Sequence, residues 1–194
     1  MRNKKNGKVV IVITVLLALL ILAAVGAVVI INRYYPLRYA DLINRYAEEF
    51  DLEPELICAV IHAESRFRAN VVSRAGASGL MQIMEDTAYW IAPRAGLDDF
   101  DYGQILEPEV NIRLGSYYLS MLIARFGDLD VALSAYNAGS GTVGNWLSDP
   151  EYSSDGETLD RIPFTETREY VNKVKENQKI YAILLRYDFI RLNS

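Results

Sequence analysis

Residues 54–64 read PELICAVIHAE, an apolar stretch that ends on a single acid. Pro54 is typical of the first turn of a helix, and in such a helix Ile57, Val60 and Glu64 share one face because their spacing is i, i+3 and i+7. This face predicts a helix that packs into a core and carries a carboxyl group at its end. Burial raises the pKa of a carboxyl group, and a neutral carboxylic acid near pH 7 can donate a proton to a leaving oxygen. The stretch therefore predicts a helical core with a candidate acid catalyst at its edge.

Amphipathic helical patterns dominate the rest of the chain as well. They predict helices over 39–50, 54–64, 80–92, 108–126, 130–138, 143–147 and 166–187. No segment shows the alternation that is typical of a strand, and residues 148–163 lack any period, which indicates a surface loop. The predicted fold class is all-α (mainly helical).

The N-terminal region predicts a membrane anchor. Residues 9–31 form a run of 23 residues without a charge, long enough to cross a hydrocarbon core of ~30 Å as a helix. Four basic residues and no acid precede this run, which by the positive-inside rule places the N-terminus in the cytoplasm. A cleaved signal peptide is the alternative, although its apolar core would normally span only ~7–15 residues. The predicted organisation is a cytoplasmic basic segment at 1–8, a transmembrane anchor at 9–32, a short tether at 33–38 and one catalytic domain at 39–194.

Charge and composition exclude several classes of function. Four of the 20 basic residues precede residue 33, while all 25 acids follow it, so the exported part carries a net charge of −9. Such an acidic domain lacks the basic surface that nucleic-acid binding requires. Cys58 is the only cysteine and His62 the only histidine, so the sequence predicts no internal disulfide, no zinc site and no cofactor. Cys58 itself is predicted to be a small buried hydrophobic residue.

Four sequence blocks carry a resemblance to a known family. They are Glu64-Ser65 followed by Phe67, GASGLMQIM at 76–84, AYNAG at 135–139 and IPFTETREYV at 162–171. With these blocks in this order, the region from Ala40 to Tyr187 resembles the soluble-lytic-transglycosylase (SLT) type of catalytic domain, glycoside hydrolase family 23. The stretch NIRLG at 111–115 also resembles the middle helix of that family.

The resemblance implies a lysozyme-like, mainly helical fold that cleaves the β-1,4 bond between N-acetylmuramic acid and N-acetylglucosamine in peptidoglycan. In the family the 6-hydroxyl of the muramic sugar replaces water and leaves a 1,6-anhydro product, and one glutamate acts first as acid and then as base. By resemblance that glutamate is Glu64, and Tyr136 is a catalytic phenol beside it. The resemblance further implies that substrate is bound by Ser65, Ser73, Met81, Gln82, Asn137, Glu166 and Tyr170.

Other interpretations of these residues remain open from the sequence alone. Glu64 could form a surface salt bridge, Gln82 could be a core amide on an apolar helix, and Met81 could serve packing only. A glycosidase with two carboxylates needs a second acid ~5–9.5 Å from the first, and the candidates are Glu85, Asp86 and Glu166. Glu85 and Asp86 look solvated, and the resemblance implies that Glu166 lines the cleft and does not attack carbon.

Three alternatives for the whole domain follow. It could be a hydrolytic muramidase of the same fold, a non-catalytic peptidoglycan-binding module, or an anchored component of a secretion machine. The expected partners are peptidoglycan glycan strands, the cytoplasmic membrane through residues 9–32 and, as a candidate, cell-wall or secretion machinery. The expected location is the cell membrane, with a single pass and the catalytic domain on the extracytoplasmic side.

Overall fold

The computed structural model describes residues 2–192, with side chains at 11 and 13–186. The chain forms two compact units, Met1–Leu37 and Arg38–Ser194. The first unit is a helix, α1 (Arg2–Tyr34). Its stretch Ile13–Tyr34 is long and apolar enough to cross a membrane by length and composition. Its apolar side chains are exposed, with Leu20 and Leu22 about two-thirds accessible. The apolar helix predicted near the N-terminus is therefore present.

The second unit is helical. Its α-helices are α2 (Ala40–Glu49), α3 (Pro54–Ser65), α4 (Glu85–Ile91), α5 (Pro108–Phe126), α6 (Leu129–Ala138), α7 (Ser140–Leu147) and α8 (Thr165–Leu192), with short 3-10 helices at Pro93–Ala95 and Tyr102–Leu106. The described residues contain no strand, only isolated bridges that join Ser78 to Val72 and to Ile83. The all-α prediction is confirmed. The two 3-10 helices were not predicted.

The packing of the second unit centres on α3. This helix lies against α8 along its length and also contacts α2, while α6 contacts α5, α7 and α8. Most of α3 is buried, with Ile57 and Val60 fully inaccessible, as the sequence pattern predicts. A helix that is apolar on nearly every face must be surrounded by protein. The end of α3 that carries Glu64 therefore lies between neighbouring helices.

One predicted helix is wrong over its first part. The sequence pattern predicts a helix over residues 80–92, but α4 begins only at Glu85. Before it, residues 71–83 form a compact turn, named here the glycine turn, in which Ser78 and Ile83 exchange backbone hydrogen bonds of 3.1 and 3.0 Å. Gly79 and Gln82 have φ values of 83° and 50°, which no right-handed helix contains. The apolar residues of this stretch are buried because the turn packs into the core.

The loop predicted at 148–163 is confirmed as a segment without helix or strand. Asp155 organises part of it, because its carboxylate accepts hydrogen bonds from the backbone N–H groups of Glu157 and Thr158 at 2.8 and 2.7 Å. An aspartate that bonds to backbone two and three residues ahead is typical of a tight surface turn.

Candidate active site

Glu64 lies in the last turn of α3, just before an abrupt change of backbone direction. Arg66 and Phe67 follow with φ values of 52° and 60°, both in the left-handed region that residues other than glycine rarely occupy. The Phe67 ring is buried and packs against Tyr181 of α8 with 5.8 Å between ring centroids. Burial of a ring of this size offsets the backbone strain of order 1–2 kcal/mol per residue. Strained backbone is common beside functional groups, and here it fixes the end of the helix at Glu64.

The protein environment brings the pKa of the Glu64 carboxyl group close to neutral pH. Burial raises the pKa of this carboxyl group from 4.5 to about 7, although the Tyr170 hydroxyl and the Lys173 ammonium group act in the opposite direction. The residue as a whole keeps partial exposure to solvent, so a ligand can reach it. A carboxyl group with such a pKa is divided between acid and carboxylate near pH 7, which suits a group that first donates a proton and then accepts one.

Two phenols adjoin the Glu64 carboxyl group from different helices. Tyr136 of α6 donates a hydrogen bond of 2.9 Å to the carbonyl oxygen of Met81, and its ring packs on Tyr118 at 5.3 Å. The Tyr170 hydroxyl of α8 is buried, and its interaction with Glu64 falls short of full hydrogen-bond geometry. Burial, followed by the charge of Glu64, raises the pKa of both phenols well above 10. Both hydroxyl groups therefore stay neutral. The Tyr170 hydroxyl can donate a hydrogen bond toward a carboxylate or a sugar, whereas the Tyr136 proton is engaged by Met81 and the Tyr136 oxygen can accept one.

A buried amide holds the glycine turn in place. The Asn111 side chain of α5 accepts a hydrogen bond of 2.7 Å from the Met81 N–H and donates two, of 3.0 and 2.9 Å, to the carbonyl oxygens of Ser78 and Ile105. Gly79 is required here, because a Cβ atom at that position would lie 2.1 Å from the Asn111 Nδ2 atom. Asn111 thus fixes Met81, whose carbonyl oxygen in turn fixes the Tyr136 hydroxyl.

Three predicted substrate-binding residues have their polar groups engaged with the glycine turn or with α3. The Gln82 amide donates hydrogen bonds to the carbonyl oxygens of Val71 and Gly79 at 3.0 and 2.8 Å. The Ser73 hydroxyl accepts one from the Ala77 N–H at 3.0 Å. Ser65 is fully buried, and its hydroxyl donates to the Ile61 carbonyl oxygen at 3.1 Å. Substrate contact at these positions stays a prediction.

Gln82 and Met81 differ from the sequence interpretation in their local structure. Gln82 was interpreted as an amide on an apolar helix, which is wrong, because it lies in the glycine turn in a left-handed conformation. Met81 is fully buried and packs so closely against α5 that a Cβ atom at Gly115 would lie 2.4 Å from its sulfur. Its packing role is clear, and its contact with substrate remains a prediction.

The two other predicted residues, Asn137 and Glu166, line a cavity of about 550 Å³. Glu166 is exposed, and the Asn137 side-chain oxygen accepts a hydrogen bond of 2.8 Å from the Thr167 hydroxyl. Glu64, Tyr136 and Tyr170 do not line this cavity. One of the residues that line it, Asn137, directly follows Tyr136 in the sequence. The cavity is lined by Asn137, Ala138, Pro163, Phe164, Thr165, Glu166 and Thr167.

The described residues offer no cluster of three or more histidine, cysteine or acidic side chains that could hold a metal ion. Cys58 is buried, and its burial raises the thiol pKa to about 12, so the thiol stays protonated and unreactive. What the site offers chemically is proton transfer and hydrogen bonding.

Residues 41–158 match the sequence model of the family described as the Transglycosylase SLT domain. The chain belongs to this family. It is 41% identical over 143 residues to the soluble lytic murein transglycosylase of Salmonella typhimurium, with 72% of this chain and 22% of that protein covered. It is 30% identical over 168 residues to the membrane-bound lytic murein transglycosylase C of Edwardsiella ictaluri, with 74% of this chain and 46% of that protein covered.

A solved structure also supports the assignment of this chain to the SLT family. An inactive Glu-to-Gln mutant of the lytic transglycosylase Slt from Pseudomonas aeruginosa aligns with a TM-score of 0.71 and 36% identity. The alignment covers 80% of this chain and 26% of that one. The chain therefore spans about a quarter of the length of the soluble relatives that it matches.

Two residues at this SLT site were missed from the sequence. Asn111 was quoted only as part of a resembling stretch, although a polar side chain on the apolar face of α5 was a signal that could have found it. Lys173 lies three residues after Tyr170 and so on the same face of α8, which was the available signal for it.

Proposed function

We propose that this SLT domain is a peptidoglycan lytic transglycosylase that cleaves the β-1,4 bond between N-acetylmuramic acid and N-acetylglucosamine. The observation that carries the proposal is Glu64, a carboxyl group whose burial raises its pKa to about 7 and which adjoins two neutral phenols. The names of the relatives, which are lytic murein transglycosylases, support the same reaction and substrate.

The proposed reaction needs one protein carboxyl group. Protonated Glu64 gives its proton to the glycosidic oxygen, the bond from that oxygen to C1 of the muramic sugar breaks, and the N-acetyl oxygen of that sugar stabilises the cation at C1. The Glu64 carboxylate then removes the proton of the 6-hydroxyl, whose oxygen bonds to C1 and closes the 1,6-anhydro ring. The 6-hydroxyl belongs to the same sugar, so it gains from proximity.

The surroundings of Glu64 favour this route over a hydrolytic muramidase. Among the described residues, the groups that shift the Glu64 pKa are Tyr170 and Lys173, and no second carboxylate is among them. A retaining glycosidase would place a second carboxylate ~5 Å away, where its charge would raise the Glu64 pKa further.

Within the proposal, Tyr136 acts beside Glu64 as a neutral phenol whose proton is held by the Met81 carbonyl oxygen and whose oxygen accepts a hydrogen bond from the protonated acid or from the sugar. Tyr170 orients the carboxyl group, and Asn137 with Glu166 binds the glycan strand in the adjoining cavity of about 550 Å³. By resemblance to the family, Ser65, Ser73, Met81 and Gln82 contact the sugar.

We further propose that residues 9–32 anchor the chain in the cytoplasmic membrane by a single pass, with the SLT domain on the extracytoplasmic side. The apolar stretch Ile13–Tyr34 and the membrane-bound relative support anchoring. The basic residues that precede the apolar stretch support the orientation.

The test is digestion of purified peptidoglycan by the full chain in neutral detergent, with its Glu64→Gln variant as the control. The expected products are muropeptides one water lighter than hydrolytic products, and the variant should release none, because an amide keeps the shape of the side chain but cannot donate an acidic proton. Hydrated reducing ends would instead establish a muramidase. Equal release by a folded Glu64→Gln variant would remove Glu64 from the mechanism.

A further inference from the structure

Lys173 of α8 binds the end of α3 that carries Glu64. Its Nζ atom donates a hydrogen bond of 2.7 Å to the carbonyl oxygen of Ala63, the residue immediately before Glu64. The carbonyl groups in the last turn of a helix lack intrahelical partners, and a lysine ammonium group is a favourable partner for them. The contact also lies across the principal helix pair of the domain, α3 and α8. Lys173 therefore ties the two helices together at the position of Glu64.

Lys173 is also the cation that acts on the Glu64 carboxyl group. Burial and the neighbouring Arg66 lower the pKa of Lys173, while Glu64 raises it, so ammonium and carboxyl group influence each other. Tyr136 and Tyr170 stay neutral because their pKa values lie well above 10. The titratable and charged groups around this end of α3 are Tyr136 of α6, Tyr170, Lys173 and Tyr181 of α8, and His62 and Arg66 on or just after α3.

The position of Glu64 in its helix makes a nearby cation useful. The C-terminal end of a helix carries a partial negative charge, which opposes a carboxylate there. Burial acts in the same direction. Both effects raise the Glu64 pKa, and a nearby cation acts against them. A general acid that must also serve as a base works best with a pKa near the working pH.

We propose that Lys173 is a positioning residue of the reaction: its ammonium group fixes the end of α3 and stabilises the Glu64 carboxylate that forms when the acid gives up its proton. This inference rests on the proposed function, because it concerns the ionisation of the same glutamate. Lys173 acts through Glu64 and Ala63 and needs no contact with the sugar.

The test is the pH dependence of the initial rate on purified peptidoglycan, measured with the full chain in neutral detergent. The variants are Lys173→Met, Lys173→Arg and, as a matched control, Lys179→Met, which removes the same charge from an exposed position farther along α8. Activity should decline at high pH as Glu64 loses its proton. In Lys173→Met this decline should move to higher pH by roughly half a unit, since an opposite charge is lost near a partly exposed acid. Lys173→Arg and Lys179→Met should keep the wild-type profile, and added salt should reduce the shift.

The outcomes separate this inference from the proposed function. A lower rate and a lower melting temperature in Lys173→Met with an unchanged pH profile would overturn the inference, because a purely structural contact predicts that result. An equal shift in Lys179→Met would overturn it too, since the effect would then belong to net charge. Failure of the proposed function would appear elsewhere, as release of product by Glu64→Gln.

Discussion

Replacement of Asn111 by alanine should destabilise the SLT domain and impair catalysis, although Asn111 is not expected to touch substrate. Its side chain is fully buried and makes three hydrogen bonds to the backbone of Met81, Ser78 and Ile105. Alanine cannot make any of them. The Ser78 carbonyl group keeps its hydrogen bond from the Ile83 N–H, but the Met81 N–H group and the Ile105 carbonyl group are left buried without the partner that Asn111 supplied.

The expected magnitude follows from these two groups. A buried polar group that loses its partner costs about 1–3 kcal/mol, so the loss should be at least about 2 kcal/mol. For a domain of ~150 residues, 1 kcal/mol lowers the melting temperature by about 2–4 °C. The Asn111→Ala variant should therefore melt at least about 4–8 °C below the wild type.

The assay is thermal unfolding followed by near-ultraviolet circular dichroism, together with peptidoglycan cleavage at a temperature at which both proteins are folded. The matched control is Ser116→Ala. Ser116 is a fully buried residue of the same helix whose hydroxyl has no hydrogen-bond partner in the described part of the chain. Removal of an unpaired hydroxyl should be nearly neutral or stabilising.

Three results would refute this reasoning. If Asn111→Ala melted within 2 °C of the wild type, as a rough limit, the amide would not be holding the turn. If Ser116→Ala lost as much stability as Asn111→Ala, the loss would reflect packing and not hydrogen bonding. A folded Asn111→Ala variant with full activity would show that Tyr136 does not depend on the position of the Met81 carbonyl group.

Two further predictions concern the site itself. Tyr136→Phe loses the hydroxyl group that bonds to Met81 and lies beside Glu64, so kcat should fall roughly 10- to 100-fold with little change in KM. Equal losses in binding and rate would make Tyr136 a plain contact residue. The raised pKa of Glu64 makes the folded state bind more protons than the unfolded state, so this group stabilises the fold below pH ~4.5 and the contribution is lost as pH rises through about 7. Between pH 4 and pH 8, the free energy of unfolding of the Glu64→Gln variant should rise relative to that of the wild type by up to about 3 kcal/mol, as measured by chemical denaturation. A constant difference across that range would contradict the raised pKa.

The helices were predictable where the sequence marks their ends. Both bounds of α5 were predicted correctly, because Pro108 occupies the first turn and Gly127 ends the helix with a φ of 71°. The start of α3 was predicted for the same reason. Proline and glycine act on the local backbone, so they can be interpreted without knowledge of the tertiary structure.

The glycine turn could not be predicted in this way. Leu80 and Ile83 are three residues apart, a helical spacing, but both are buried because the turn packs against α5 and not because they share a helical face. Helical spacing records only which residues are apolar. It cannot distinguish a helix from a short turn that is held by a distant side chain such as Asn111.

The candidate site was predictable in its acid and less so in the residues that support it. One helical face, which is a local pattern, marked Glu64 as a candidate acid, and the four sequence blocks favoured that role over a surface salt bridge. The contacts of Lys173 with Ala63 and of Asn111 with Met81 join residues 110 and 30 positions apart, and no local pattern encodes them. The roles expected for Ser65 and Gln82 stay predictions, because the polar groups of both side chains bond to the backbone.

The length of α3 is fixed at both of its ends. At the start, Pro54 has no backbone N–H group, so extension of the helix toward the N-terminus would lack one helical hydrogen bond. At the other end, the left-handed conformation of Arg66 and Phe67 stops the helix. The number of residues in α3 therefore fixes the position of Glu64 along the helix and the direction of its side chain. Insertion of even one residue into α3 would rotate the carboxyl group by about 100° around the helix axis, away from both phenols. Natural or engineered variation in SLT domains of this kind should therefore spare the length of α3 and fall in the surface loop at 148–163.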